Sequence, residues 1–132
     1  MADNIDNSQV KTQCQVRDVY RAIYDFELNF QQLYDLRLNE GMLLCSLNTQ
    51  KYSSNELASV LGLTNSNTSK VIKSVEKKGI IRRIVGKEDK RQMYFMLTDL
   101  GKKKLESIKC AEFDIPETLE SMYKTISLCS CD

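Results

Sequence analysis

The sequence predicts a mainly α-helical fold that contains one small β-wing. Between residues 53 and 101, two short helical patterns precede two β-prone runs that are separated by a charged stretch. Positive charge is concentrated in the same region. Residues 70–104 hold 12 Lys or Arg and 4 Asp or Glu, a net charge of +8, whereas the whole chain carries +1 and the remainder therefore −7. The order of these elements predicts a winged helix-turn-helix at residues 50–98. The positive charge in the same region predicts that it binds a phosphate backbone.

The first helix of this pair begins with a capping box. Ser53 and Glu56 stand in the S-x-x-E spacing, in which each side chain bonds the other residue's backbone N–H. Leu57 and Ala58 follow at helical spacing, and Gly62 is expected to end the helix in the left-handed region. The short turn with Gly predicts a helix-turn-helix, although an ordinary αα-hairpin has the same pattern.

The second helix, with Thr64 as its N-cap, has two distinct faces. A step of 100° per residue places an apolar and β-branched side inward, at Thr68, Val71, Ile72 and Val75. Small polar residues and then lysines fall on the other side. Short Asn and Ser side chains suit close approach to base edges, and Lys donates to guanine or phosphate. The alternative is a merely solvated face, but its Asn/Ser run has poor helix propensity.

The wing is predicted from Ile80–Val85 and Met93–Leu97, with a charged tip at residues 86–92 between them. Basic tips of this kind suit the negative potential of a minor groove. Asp89 is expected to orient the guanidinium of Arg91 as an ion-pair partner. The alternative is a solvated hairpin loop in which the two charges are an incidental pair.

Two motifs in this region resemble those of MarR-type transcriptional regulators. Asp89-Lys90-Arg91 followed by the segment LTDLG at 97–101 resembles the family's D-x-R…L-T-x-x-G signature, and residues 61–79 resemble its recognition-helix stretch. The resemblance implies an obligate homodimer on pseudo-palindromic duplex DNA, with recognition helices in successive major grooves and wings in the flanking minor grooves. Lys70 departs from the family, which often has Arg there, and lacks the bidentate fork of Arg.

The pattern and the resemblance together predict a set of DNA-contacting side chains on the two helices and the wing tip. They are Ser54, Thr64, Asn65, Ser66, Asn67, Ser69, Lys70, Lys73, Lys87, Asp89, Lys90 and Arg91.

Residues 9–49 and 99–128 are predicted to form dimerisation helices. An a/d seam with 3-4-3-4-3 spacing runs along one long N-terminal helix, and a second helix is expected at about 39–47. Thr98 is expected to cap a helix that runs through Ala111, and a last helix begins near Pro116. Packing on the chain's own core is the alternative for both ends. The predicted interface residues are Val16, Val19, Ile23, Phe26, Phe30, Leu119, Met122 and Ile126.

Length and composition fit a single domain over residues 1–132. The chain has no His, no nucleophile with an adjacent base and no phosphate-binding loop, so we expect no enzymatic activity, metal or cofactor. No apolar run suggests a signal peptide or a membrane span, which predicts a cytoplasmic protein. The five cysteines lack C-x-x-C pairs, so most are expected to be inert small hydrophobes.

These observations predict a homodimeric, sequence-specific DNA-binding transcriptional regulator, with repression as the expected mode. The alternative is a winged-helix protein-interaction module that does not bind DNA, which a lysine-rich recognition helix and a basic wing tip disfavour. The family resemblance further implies release by a small aromatic effector or by thiol oxidation. Cys14 is the candidate redox sensor, although a lone helical cysteine is more often inert.

Overall fold

The computed structural model describes residues 7–109, and these residues form five helices and three strands. In chain order the helices are α1 (Asn7–Tyr34), α2 (Leu38–Leu47), α3 (Ser54–Leu61), α4 (Asn65–Lys77) and α5 (Asp99–Lys109). The strands are β1 (Tyr52–Ser53), β2 (Ile81–Val85) and β3 (Met93–Leu97). The predicted fold class is confirmed. The predicted last helix, with Leu119, Met122 and Ile126, lies outside the described residues.

Helix α1 is one continuous helix of 28 residues, as the a/d seam predicted. The exposure of its apolar seam changes along the length of the helix. Phe30 is buried and Phe26 half-buried, with ring centroids 6.3 Å apart, whereas Val16 and Ile23 are exposed. Phe30 is only 4% exposed within one chain, so it offers almost no surface to a partner chain. The placement of Phe30 in a dimer interface stays a prediction.

Residues 34–109 belong to one compact unit, and α1 up to Leu33 belongs to another. Within the first of these, α2 packs against α3, α4, α5 and β3, so α2 and α5 share a core with the winged helix. Its fully buried side chains come from several elements, and they include Leu36, Leu43, Leu44, Leu57, Thr68 and Val75.

The two helices of the helix-turn-helix begin and end as the sequence predicted. The Ser53 hydroxyl accepts from the Glu56 N–H at 3.3 Å, and the Ser53 N–H donates to the Glu56 carboxylate at 3.4 Å. Gly62 has φ +68°, and the N–H of Leu63 donates to the Ala58 carbonyl at 3.0 Å, which is the Schellman bond that ends α3. The Thr64 hydroxyl then caps α4 by accepting from the Asn67 N–H at 3.1 Å.

The sheet is antiparallel with strand order β1-β3-β2, so β2 is an edge strand. Strands β2 and β3 form the predicted wing, with Ile81 opposite Leu97 and Val85 opposite Met93. The sequence did not predict β1, which has two residues and pairs Tyr52 with Phe95. A strand this short is below the length at which alternation of apolar and polar residues is detectable.

Candidate nucleic-acid interface

The recognition helix α4 presents the outer face that its sequence predicted. Thr68, Ile72 and Val75 are buried, and Val71 is half-buried. The buried Thr68 hydroxyl is satisfied because it donates to the Thr64 carbonyl at 2.8 Å. The polar residues of the opposite face and its flanks are all exposed, and they are Ser66, Asn67, Ser69, Lys70, Lys73 and Lys77. Asn65, the first residue of the helix, is exposed as well. Two other predicted contact residues, Thr64 and Ser54, lie outside this face. Thr64 is exposed, but its side chain serves as the N-cap of α4, and Ser54 is half-buried.

A buried carboxylate holds the rear of the recognition helix. Glu40 of α2 is 3% exposed and accepts from the Arg37 N–H at 2.8 Å and the Ser74 hydroxyl at 2.8 Å. Lys78 Nζ donates to both Glu40 oxygens, at 3.2 and 3.1 Å, and to the Asp35 carbonyl at 3.0 Å. Burial by itself raises the pKa of Glu40, but these hydrogen bonds and the Lys78 charge outweigh burial and hold the pKa below its ordinary value. Glu40 therefore carries a charge that anchors α4 on α2.

The wing tip is a compact turn whose shape depends on Asp89. Its carboxylate accepts from the backbone N–H of Arg91 at 3.0 Å, and its carbonyl accepts from the Gln92 N–H at 3.0 Å. The expected ion pair between Asp89 and the Arg91 guanidinium is not formed, so that expectation is corrected. An aspartate side chain can accept from the backbone N–H two residues later and so close an Asx turn. The Asp89 carboxylate reaches this N–H over a shorter distance than it would need to reach the Arg91 guanidinium. The side chains of Lys87, Lys90 and Arg91 are exposed.

Two of the twelve cations of residues 70–104 are held in ion pairs. Lys78 is bound to Glu40, and Arg83 forms two parallel hydrogen bonds with Glu76, at 2.8 and 2.9 Å. The other ten form no ion pair within the described residues. The basic surface is thus carried by the outer face of α4, the wing and the start of α5.

Two cations that the sequence analysis did not select join this surface on the outward face of the wing. Lys51 and Arg82 line a hollow of about 510 Å³ together with Lys87, Tyr94 and Met96. Arg82 and Arg83 are consecutive in a strand, so one points outward and the other toward the Phe95 side of the sheet. In the sequence, the alternation of side chains along the strand IIRRIV is the signal that places these two arginines on opposite faces of the sheet.

Two cysteines lie within the described residues. The described residues contain no group of three or more His, Cys, Asp or Glu side chains that could hold a metal ion. Cys14 and Cys45 are half-buried. Among the described helices, none has the length and apolar character needed to cross a membrane.

Comparison with known proteins agrees with the fold and the motifs. The family model described as MarR family matches residues 36–93, which confirms the resemblance found in the sequence. No curated protein gave a significant sequence match.

Many solved structures share the fold. One is the transcriptional regulator BldR from Sulfolobus solfataricus, at 23% identity and TM-score 0.66, with 97% of this chain and 100% of that chain covered. AbsC, a MarR family transcriptional regulator from Streptomyces coelicolor, has 18% identity and TM-score 0.72, with 96% and 93% covered. MepR from S. aureus, solved as a DNA complex, has 21% identity and TM-score 0.58, with 86% and 88% covered.

Proposed function

Because the MarR family model matches residues 36–93, we propose that this chain is a homodimeric transcriptional regulator of that family and that it binds pseudo-palindromic operators in duplex DNA. The observation that carries the proposal is the outer face of α4. It combines exposed short polar side chains in the first turns with exposed lysines further along, and a basic wing follows it in the chain.

The two halves of this face suit different parts of DNA. Asn67 and Ser66 have short side chains at the helix N-terminus, where recognition helices approach base edges, and an asparagine amide pairs bidentately with adenine. Lys70, Lys73 and Lys77 recur at helical spacing on the same face and reach phosphate oxygens on either side of the groove. We assign base readout to the first group and positioning on the backbone to the second.

The wing extends the proposed interface beyond the major groove. Its tip carries Lys87, Lys90 and Arg91, all exposed, and Arg91 follows a turn that Asp89 closes. We propose that Arg91 enters the adjacent minor groove, where an arginine gains from the narrow groove's negative potential.

We propose repression as the mode of regulation, because a dimer that occupies an operator blocks access to the same DNA. The signal that releases it, a small aromatic acid or an oxidant acting at Cys14, is proposed from the family resemblance alone.

The test is a selection of genomic DNA fragments by the purified protein, followed by affinity measurements across a salt series. Log affinity for the selected site should fall linearly with log salt concentration, because each neutralised phosphate releases condensed counterions. Lys73→Ala should weaken binding to all sequences by about fivefold at low salt, equivalent to about 1 kcal/mol, and flatten the slope by about one.

Lys11→Ala is the matched control, since Lys11 is an exposed lysine on α1 and its loss changes the net charge equally. Lys11→Ala should leave the slope unchanged. Failure to select any DNA sequence would favour the alternative, a winged-helix interaction module.

A further inference from the structure

The recognition helix and the wing are joined by a side-chain bridge. Arg83 of β2 donates from Nε and from a terminal nitrogen to the two carboxylate oxygens of Glu76 in the last turns of α4, at 2.8 and 2.9 Å. This is the fork-to-fork geometry that fixes direction as well as distance. The charge and hydrogen bonds of Glu76 raise the pKa of Arg83 further above its ordinary value.

The Arg83 guanidinium also lies over an aromatic ring. Its central carbon, Cζ, lies 5.5 Å from the centre of the Phe95 ring, and Phe95 is the cross-strand neighbour of Arg83 in the β2–β3 pair. Phe95 is 3% exposed, so the ring is fixed by the core. The guanidinium therefore contacts both a ring of β3 and a carboxylate of α4.

The bridge is too exposed to be a main source of stability. The Arg83 side chain is 47% exposed and that of Glu76 25%, and ion pairs of this exposure contribute little to folding. Its location has a different consequence. Within residues 7–109, strand β2 is an edge strand that pairs only with β3, and it leads directly to the wing tip. The bridge is therefore a direct side-chain link between the helix and the strand that carries the wing.

We infer that Glu76 and Arg83 are positioning residues that fix the wing relative to the recognition helix, and that this geometry determines how well the protein discriminates an operator from other DNA. The inference rests on the proposed function. Base contacts by α4 and groove contacts by the wing must be made at the same time, so an error in their relative placement weakens sequence-specific binding. Non-specific binding depends on the number of cations and is insensitive to that error.

The decisive variant is Arg83→Lys, which keeps the positive charge and loses the fork. It should lower affinity for the selected operator about tenfold, the size of one lost bidentate base contact, while affinity for random duplex DNA changes less than about twofold. The thermal unfolding midpoint should move by no more than a few degrees, as expected for an exposed pair.

Arg82→Lys is the matched control. It is the same substitution one residue earlier on the opposite face of β2, where the arginine forms no ion pair within the described residues. Because Arg82 belongs to the basic surface, Arg82→Lys is the control for hydrogen exchange and stability. Arg21→Lys, at an exposed arginine of α1 outside that surface, is the control for DNA binding and should leave operator and random-DNA affinity within about twofold of the original. Glu76→Gln combined with Arg83→Lys should cost little more operator affinity than Arg83→Lys alone, since the two residues act as a unit.

Hydrogen exchange of the protein without DNA separates this inference from the proposed function. The amides of β2 should exchange faster in Arg83→Lys than in Arg82→Lys, by roughly threefold, because the edge strand loses its link to α4. Unchanged exchange together with unchanged operator discrimination would overturn the inference. Equal losses for operator and random DNA would also overturn it, and would reassign Arg83 to phosphate contact. A protein that selects no DNA would end the proposed function, while the exchange result would still decide whether the bridge positions the wing.

Discussion

Asp89 is a negative charge in the middle of a basic loop, and its contacts explain its presence. The carboxylate accepts the Arg91 N–H at 3.0 Å, and the Gly86 N–H donates to the Gln92 carbonyl at 2.8 Å, so the tip is closed by both side-chain and backbone bonds. A Cβ at Gly86 would collide with the Asp89 carbonyl, which explains why the loop begins with glycine. Asp89 thus contributes a turn, and its charge and its hydrogen bond have opposite expected effects on DNA binding.

Two substitutions separate the charge of Asp89 from its hydrogen bond. Asp89→Asn removes the charge but keeps an oxygen that accepts the Arg91 N–H, so it should bind the operator as tightly as the original or up to about threefold more tightly. Asp89→Ala loses the turn as well and should bind about fivefold more weakly than Asp89→Asn, as expected for one hydrogen bond of about 1 kcal/mol. Operator affinity at fixed salt is the measurement. If both variants bind more weakly than the original and equally so, the charge itself is needed, as the sequence-based hypothesis of an ion pair with Arg91 required.

At the scale of an element, the L-T-x-x-G motif has a structural explanation in helix α5. The Thr98 hydroxyl accepts from the Gly101 N–H at 3.1 Å and donates to the Gly79 carbonyl, while the Thr98 N–H donates to the Ile80 carbonyl at 3.1 Å. Thr98 therefore caps α5 and ties it to the turn after α4. A Cβ at Gly101 would overlap the Ile80 carbonyl, so this helix start packs directly on backbone.

Gly101→Ala tests that close approach. Helix propensity alone favours alanine by about 1 kcal/mol, whereas overpacking against a backbone oxygen costs about 3 kcal/mol, so the net loss of unfolding free energy should be about 2 kcal/mol. Gly62→Ala is the comparison, because Gly62 has φ +68° and open space around it, and should lose about 1 kcal/mol through backbone strain alone. Both values come from denaturant unfolding. A Gly101→Ala protein more stable than the original would mean that α5 does not start on the Ile80 carbonyl.

Local signals predicted the elements, whereas contacts between distant residues could not be read from the chain. The Ser53 and Thr64 caps and the glycines at 62 and 79 lie within a few residues of the ends they define, so helix limits were predictable. The Glu40–Lys78 contact spans 38 residues, and no local pattern marks either residue as its partner. For the same reason the sequence counted Lys78 and Arg83 as free surface charge, although both are bound within the protein.

At the scale of the whole molecule, the exposed apolar side of α1 is the feature that indicates packing against a second chain. Val16, Tyr20 and Ile23 are 52%, 73% and 40% exposed and line a hollow of about 300 Å³ along the helix. A 100° step per residue places all three within one stripe, which continues along the helix to Phe30. A contiguous apolar stripe of this kind is typical of a helix that packs against a partner, which supports the proposed homodimer.

Charges placed in this stripe should dissociate the proposed homodimer. Ile23→Glu adds a carboxylate that a second chain would bury without a partner. Because the change occurs twice in a two-fold interface, the dimer should lose several kcal/mol of association free energy. Sedimentation at micromolar concentration should give twice the chain mass for the original protein and the single chain mass for Ile23→Glu, with weaker operator binding in parallel. Val16→Glu should act in the same direction.

The matched control is Gln32→Glu, at an exposed position on the opposite side of α1. It adds the same charge, and the protein should remain dimeric. Circular dichroism should show equal helix content in all four proteins, so that loss of the dimer is not loss of the fold. A dimer that persists in both stripe variants would place the interface elsewhere than on this face of α1.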